Sequence, residues 1–204
     1  MLNLDRNNAV SYTDDQQAAI DNLINNCGTR TGRELWADKG PGDILVKAKE
    51  NIITHCLKIQ NMRCAYCETL FGYGEPQIEH FANKGRYRKF LYEPQNLVCS
   101  CPVCNGFAKK GAKNTIKGPV KVKYADNDFL YVHPYFDDPS KEIKYKDVFK
   151  LRVDKDHSTE KGKKTIEMFH WDTYHATLKR LSNLVVRPFL AKRQELMSEI
   201  LNYK

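Results

Sequence analysis

A chain of 204 residues with 41% hydrophobic and 28% charged side chains is long enough for one sizeable domain or two small ones, and its composition excludes a disordered chain. No apolar run approaches the roughly 20 residues that cross a bilayer, and the polar start MLNLDRNNAVSYTDD has no apolar signal core, so the sequence reads as a cytoplasmic protein with no membrane association. The net charge of +8 is uneven, since residues 81–125 hold ten Lys/Arg against Glu93 alone; such a stretch suits a polyanion, because each neutralised phosphate releases counterions.

Residues 1–12 read as irregular. Thr13, with Gln16 three residues on, reads as a capping box. The helix it opens carries Ala19, Ile20, Leu23 and Ile24 on one face and ends at Asn25-Asn26-Cys27-Gly28. Residues 28–42, with four glycines and Pro41, read mostly as loop, with a helical turn at Arg33-Glu34-Leu35-Trp36. A second helix is predicted from about Asp43 to Gln60 on the stripe Ile44, Leu45, Ala48, Ile52, Cys56 and Ile59. His55 in that helix reads as structural. A central segment runs from Cys64 to about Lys117. Beyond it, Asp128–Phe136 alternates and is aromatic, which predicts a strand. Asp137-Asp138-Pro139-Ser140 reads as a turn, and Phe149, Leu151 and Val153 as a second strand pairing with the first. Ser158 or Thr159 can open a helix carrying Ile166, Met168 and Phe169. Asp172 can cap the next, with Leu178, Leu181, Leu184 and Val185 on its face. Pro188 should kink or restart that helix, and Phe189, Leu190, Leu196, Ile200 and Leu201 continue the pattern. The expected class is α+β and mostly helical. Residues 1–62 form an N-terminal helical region, 63–117 a metal-centred core, and 118–204 a small β-hairpin with helices packing on that core.

The seven cysteines are odd in number, and four fall into two Cys-x-x-Cys knuckles, Cys64/Cys67 and Cys101/Cys104. That pattern points to metal rather than disulfides. Four thiolates suit a closed, tetrahedral, structural zinc. Cys99 competes with Cys101 as third ligand, and Cys101 is preferred because it makes a knuckle with Cys104. Cys56 reads as a small core residue.

Between the knuckles stand Ile78-Glu79-His80-Phe81 and Asn96; Asn105 follows the last knuckle cysteine. Phosphodiester hydrolysis needs a base for water, positive charge on the phosphorane and help for the leaving oxygen. His80 can be the base. Glu79 and Asn105 offer oxygens to a hard divalent cation. Asn96 can bond backbone near His80 and steady its ring.

The order C-x-x-C, acid–His, Asn-Leu-Val-x-x-C-x-x-C-Asn, then Lys resembles the HNH endonuclease family in its four-cysteine form. The resemblance implies a ββα core around one catalytic Mg or Mn ion. It implies that His80 is the general base, that Asn96 is the orienting asparagine, and that Asn105 and Glu79 (where the family usually has Asp) are metal ligands. It places Lys109 on the metal-side helix, where it could steady the scissile phosphate. Ile-Glu-His-Phe, the Asn-Leu-Val-Cys-Ser-Cys run and His133-Pro134-Tyr135-Phe136-Asp137-Asp138-Pro139 are similar to the HNH nuclease subunit of Septu-type anti-phage systems and their retron-linked relatives, although Asn83 stands before Lys84 where members often have Pro. That likeness implies an ABC or SMC-like ATPase partner, with the apolar terminal helices as candidate docking surface. On this reading the chain cuts nucleic acid, DNA being favoured. Lys84, Arg86, Arg88 and Lys89, with Lys110 and Lys113, track the backbone, and Tyr87 stacks on an unpaired base. Two other readings stay open: an RNase of the same fold, for example one cutting tRNA, and a zinc-knuckle binding module without chemistry. His133 and Asp137-Asp138 read as a turn outside the catalytic set.

Overall fold

The computed structural model of the chain describes residues 1–71 and 76–185; the expectations for Pro188 onward lie outside them. The first helix, α1 (Asp14–Asn25), opens on a reciprocal capping box. Thr13 Oγ1 accepts from the Gln16 amide, and Gln16 Oε1 accepts from the Thr13 amide. A second box, Thr31 with Glu34, turns part of the glycine-rich stretch into α2 (Gly32–Ala37), longer than the single turn expected. The long helix α3 (Ile44–Ile59) buries Leu45, Ala48, Ile52, Cys56 and Leu57 against α1 and the central hairpin.

That hairpin is β1 (Gln77–His80) paired antiparallel with β2 (Leu97–Ser100), in the register Gln77↔Ser100 and His80↔Leu97. Opposite partners share a face. Gln77, Glu79, Val98 and Ser100 therefore lie on one side, and Ile78, His80, Leu97 and Cys99 on the other. The Gln60 carboxamide serves β2 as a substitute neighbouring strand: its Nε2 donates to the Cys99 carbonyl at 2.8 Å and its Oε1 accepts from the Cys99 amide at 2.8 Å. A fully buried amide needs such pairing. The four-residue helix α4 (Pro102–Asn105) follows, with Pro102 at its first position.

The later strands differ from expectation. Only Asp128–Phe129 (β4) is extended, and it pairs with Ile116–Lys117 (β3). A short helix, α5 (Pro139–Glu142), is capped by Asp138. The small hairpin here is β5 (Lys144–Tyr145) with β6 (Val153–Asp154), while Phe149 is 65% exposed. The alternating aromatics of 129–136 do not line a sheet. They fill a cluster around His133, whose ring centroid lies 4.2 Å from Phe81, 4.6 Å from Phe129 and 4.4 Å from Phe136. Helix α6 (Glu160–Phe169), capped by Thr159, buries Ile166, Met168 and Phe169. The last described helix, α7, covers residues 174–185. Thr173, not Asp172, caps it, its Oγ1 accepting from the Ala176 amide, and Leu178, Leu181 and Val185 on it remain exposed. No helix among the described residues is long and apolar enough to cross a membrane.

Candidate metal centre and acid–histidine site

The two knuckles close on each other. Cys64 to Leu70 forms a tight turn in which the Cys64 amide donates to the Thr69 carbonyl, the Glu68 amide donates back to the Cys64 carbonyl, and Glu68 adopts a left-handed conformation. The second knuckle is the entry turn of α4, with the Cys104 and Asn105 amides on the Cys101 carbonyl. The ligand atoms of Cys64, Cys67, Cys101 and Cys104 all lie within 4.8 Å of one another. Cys67 and Cys101 Sγ are 3.8 Å apart, and a tetrahedron with Zn–S bonds near 2.3 Å requires S···S separations of about 3.8 Å. Four soft donors at that spacing could hold a structural zinc. Cys101 Sγ belongs to this cluster, whereas the Cys99 thiol points away, toward the Ile53 carbonyl at 3.9 Å; a continuing strand would put side chains 99 and 101 on one face, but β2 ends at Ser100 and Cys101 opens α4, which parts them.

Glu79 and His80 end β1 on opposite faces. Glu79 is 5% exposed. Its Oε1 lies 2.8 Å from Lys110 Nζ and accepts from the Tyr66 hydroxyl at 3.5 Å. Burial pushes its carboxyl up, against the opposing pull of Lys110. Lys110 is fully buried, and its ammonium also donates to the carbonyls of His80 at 3.1 Å and Gly111 at 3.4 Å. It thus clasps the end of the strand as well as the acid.

His80 is 3% exposed. Its Nε2 lies 3.0 Å from the Leu91 carbonyl, so Nε2 carries the hydrogen and Nδ1 keeps the lone pair. The Trp36 ring of α2 meets it edge-on at 4.6 Å. Burial first, then the charges of Lys84 and Lys110, hold the imidazole well below its usual range against the opposing Leu91 bond. The ring is therefore neutral near pH 7.

Asn96 is fully buried. Its Oδ1 accepts from the Ala82 amide at 2.6 Å and the Tyr124 hydroxyl at 2.9 Å, and its Nδ2 donates to the carbonyls of Ala82 at 3.2 Å and Phe90 at 2.8 Å. Asn105 sits at the end of α4 and donates from Nδ2 to Gln77 Oε1 at 2.9 Å, which puts it on the Glu79 side of β1.

Several sequence assignments change. Helix α4 stops at Asn105, so Lys109 is not on a metal-side helix. It lines a cavity of about 720 Å³ beside Cys67, Trp171 and Lys179, while its neighbour Lys110 turns inward. Lys110 cannot be a surface contact for nucleic acid. Tyr87 is 8% exposed and its hydroxyl is bonded to Asn114, which leaves no open ring face for a base. Arg88 Nη1 bonds the carbonyls of Gly28 and Arg30, which ties the guanidinium to the fold, and Lys89 donates to the Lys121 carbonyl at 2.6 Å. Arg86, Arg88 and Lys89 border an open groove of about 640 Å³. Arg86, Lys89 and Lys113 are exposed and Lys84 is half-buried. Sequence reasoning gave no site role to Tyr66 or Tyr124, placed Trp36 in a helical turn without linking it to His80, and set His133 aside with the Asp137-Asp138 turn; the Thr31–Glu34 capping box was the signal that fixes Trp36 on a helix.

Fold and site together define an α+β protein built on a four-thiol knuckle with a buried acid–histidine pair beside it. The chain is 26% identical over 172 residues to the Septu protein PtuB of Bacillus thuringiensis. The match covers 83% of this chain and 54% of that protein, so the chain spans about half the length of the curated relative it matches. No protein-family model matches the chain, and no solved structure does.

Proposed function

We propose that this protein is a metal-dependent endonuclease of the HNH type, cutting nucleic acid with DNA favoured. We further propose that it serves as the nuclease of a Septu-type anti-phage system alongside an ABC or SMC-like ATPase; the likeness to Septu protein PtuB supports that role. The observation that carries the chemistry is the state of His80. It is a buried, neutral imidazole whose Nε2–H is committed to a carbonyl and whose Nδ1 lone pair has no hydrogen-bond partner among the described residues, one residue from an acid and at the end of a hairpin braced by the knuckle.

Three features of the Gln77–Glu79 face suit a hard cation. Glu79 and Asn105 each bring a side-chain oxygen to it. Ser100 Oγ, opposite Gln77, is buried without a hydrogen-bond partner among the described residues. Lys110 competes, since its ammonium already neutralises the carboxylate, so an ion must share Glu79 or displace Lys110. Glu79 and Asn105 would hold a magnesium or manganese ion, which when bound supplies positive charge to the phosphorane and the leaving oxygen.

The chain's own part is proton handling and placement. With the cation on the Glu79 face and His80 on the other, the scissile phosphate would lie across the end of β1, and His80 Nδ1 would take the proton of the attacking water there. The Leu91 carbonyl stabilises the charge this puts on the ring. Asn96 holds the Ala82 and Phe90 backbone, and with it the ring's surroundings. Lys84, 5.6 Å from the Trp36 ring centroid and close enough to lower the His80 pKa, would meet the phosphate.

His80→Ala should abolish cleavage of both DNA and RNA per folded molecule while zinc content stays at the wild-type value; emptying this buried position should also cost about 2–5 kcal/mol of stability. EDTA should stop the wild type, and manganese restore it. Retained cutting by His80→Ala would refute the base assignment. Cutting of RNA alone would favour the RNase reading, and silence under every condition, ATPase included, the binding module.

A further inference from the structure

The segment His133-Pro134-Tyr135-Phe136-Asp137 plays no part in the chemistry above, yet its histidine is fully buried. Its hydrogen bonds have a direction. The Tyr135 amide donates to His133 Nδ1 at 3.1 Å, so Nδ1 is the lone-pair nitrogen and Nε2 carries the hydrogen. Nε2 lies 2.9 Å from the Tyr124 oxygen. That oxygen accepts from the histidine and so turns its own hydrogen onto Asn96 Oδ1, 2.9 Å away. With the Ala82 amide as second donor, both lone pairs of that Oδ1 are used, and both Nδ2 hydrogens are spent on Ala82 and Phe90 carbonyls. The carboxamide has one allowed orientation. It grips the residue two beyond His80 and the residue just before Leu91, whose carbonyl holds the His80 ring.

His133 is itself pinned. Its amide donates to Asp137 Oδ2 at 2.7 Å, and Asp137 pairs with Lys161 of α6 at 2.9 Å. Phe81, next to His80, packs on its ring at 4.2 Å. Two buried polar rings are costly to keep where apolar ones would fill the space. What they add is the fixed orientation of Asn96.

We propose that His133 and Tyr124 are positioning residues for His80, acting through the Asn96 carboxamide. This rests on the nuclease reading of the site. Three variants separate alignment from packing. Tyr124→Phe keeps the ring and removes the hydroxyl. His133→Gln keeps a donor at the Nε2 position. His133→Asn keeps an acceptor at the Nδ1 position but cannot reach Tyr124.

Cleavage kinetics, melting temperature and the His80 imidazole ¹⁵N spectrum at one fixed pH are measured on the full chain. Tyr124→Phe and His133→Asn should lower kcat roughly tenfold with KM unchanged, and should replace the single Nε2–H form of His80 by a mixture of tautomers. His133→Gln should stay within about twofold of wild type. An unchanged kcat and an unchanged His80 spectrum in Tyr124→Phe would overturn the assignment. So would equal losses in both His133 variants that track melting temperature. If either His133 variant fails to fold, the near-isosteric Tyr124→Phe decides. If the wild type cuts nothing even with the ATPase present, the nuclease reading has failed, and the His80 spectra alone settle the positioning role.

Discussion

Lys109 and Lys110 stand side by side, yet one lines a cavity and the other is sealed against Glu79. Which of two adjacent lysines turns inward depends on the phase of the turn after α4, and Gly106 and Gly111 let that turn take several paths. Residue types therefore could not separate them. Asn96 was easier to read, because a buried asparagine next to an extended run has backbone groups to satisfy. The Glu79–Lys110 pair keeps two charges out of water, so breaking it on one side should be severe. Lys110→Met should cost about 3–5 kcal/mol in urea denaturation, and Glu79→Gln on top of it should recover a large part. The buried histidines give a pH signature. Burial, with a smaller push from Lys161, holds His133 well below its usual range. Below about pH 6.5 the unfolded chain binds a proton there that the folded chain refuses. The stability this lowered value contributes is thus present above that pH and lost as pH falls. Glu79, shifted upward, works in the opposite sense, so the difference between wild type and His133→Gln is the clean measure. That difference should change by up to about 1.4 kcal/mol per pH unit between pH 6 and 5; a flat difference would mean that His133 is not buried neutral.

Elements with local signatures were legible, and those built from long-range packing were not. Helices α1 and α6 announce themselves by caps and apolar stripes, and α3 by its stripe alone. The strand expected at 128–136 failed because its alternating aromatics serve a cluster around His133, which period-2 spacing cannot distinguish from a sheet face. The knuckles were read correctly because a chelate depends on short spacings within each pair. Cys101→Ser should therefore lose zinc and Cys99→Ser retain it, as counted by metal release from purified protein. Helix α2 was half read, and its fit is tight. A Cβ on Gly32 would sit 1.9 Å from the Lys84 carbonyl oxygen, so α2 can lie on the 84–85 peptide, and bring Trp36 to His80, only with glycine there. Gly162 of α6 meets the Glu142 carbonyl oxygen in the same way, at 2.0 Å, and its helix reaches the site only at a distance, through Lys161 on Asp137. Gly32→Ala and Gly162→Ala should each destabilise by about 1–3 kcal/mol. Under the proposed function Gly32→Ala should also lower cleavage per folded molecule, and by more than Gly162→Ala, because it shifts Trp36, which packs directly on His80.

Across the whole molecule, one apolar core joins all three stretches of the chain, and the N-terminal residues are stitched into it through the Leu2 amide on the Ala65 carbonyl and the Leu4 amide on the Pro134 carbonyl. The charge excess of residues 81–125 is sorted by this folding. Lys110 is interior, Arg88 ties the α1–α2 connection, and Lys84, Arg86 and Lys113 keep solvent contact. A net charge read from sequence counts all of them alike, whereas only the solvent-facing ones can release counterions from a polyanion. Replacing Lys84, Arg86 and Lys113 together by Gln should weaken binding to a single-stranded oligonucleotide and reduce the slope of log K against log salt by about 2, near 0.7 for each phosphate no longer neutralised. Arg88→Gln should instead leave the salt slope alone and lower stability, since it gives up the hydrogen bonds to the Gly28 and Arg30 carbonyls inside the fold. Binding titrations at four or more salt concentrations measure both; an undiminished slope in the triple variant would place the nucleic-acid surface elsewhere on the molecule.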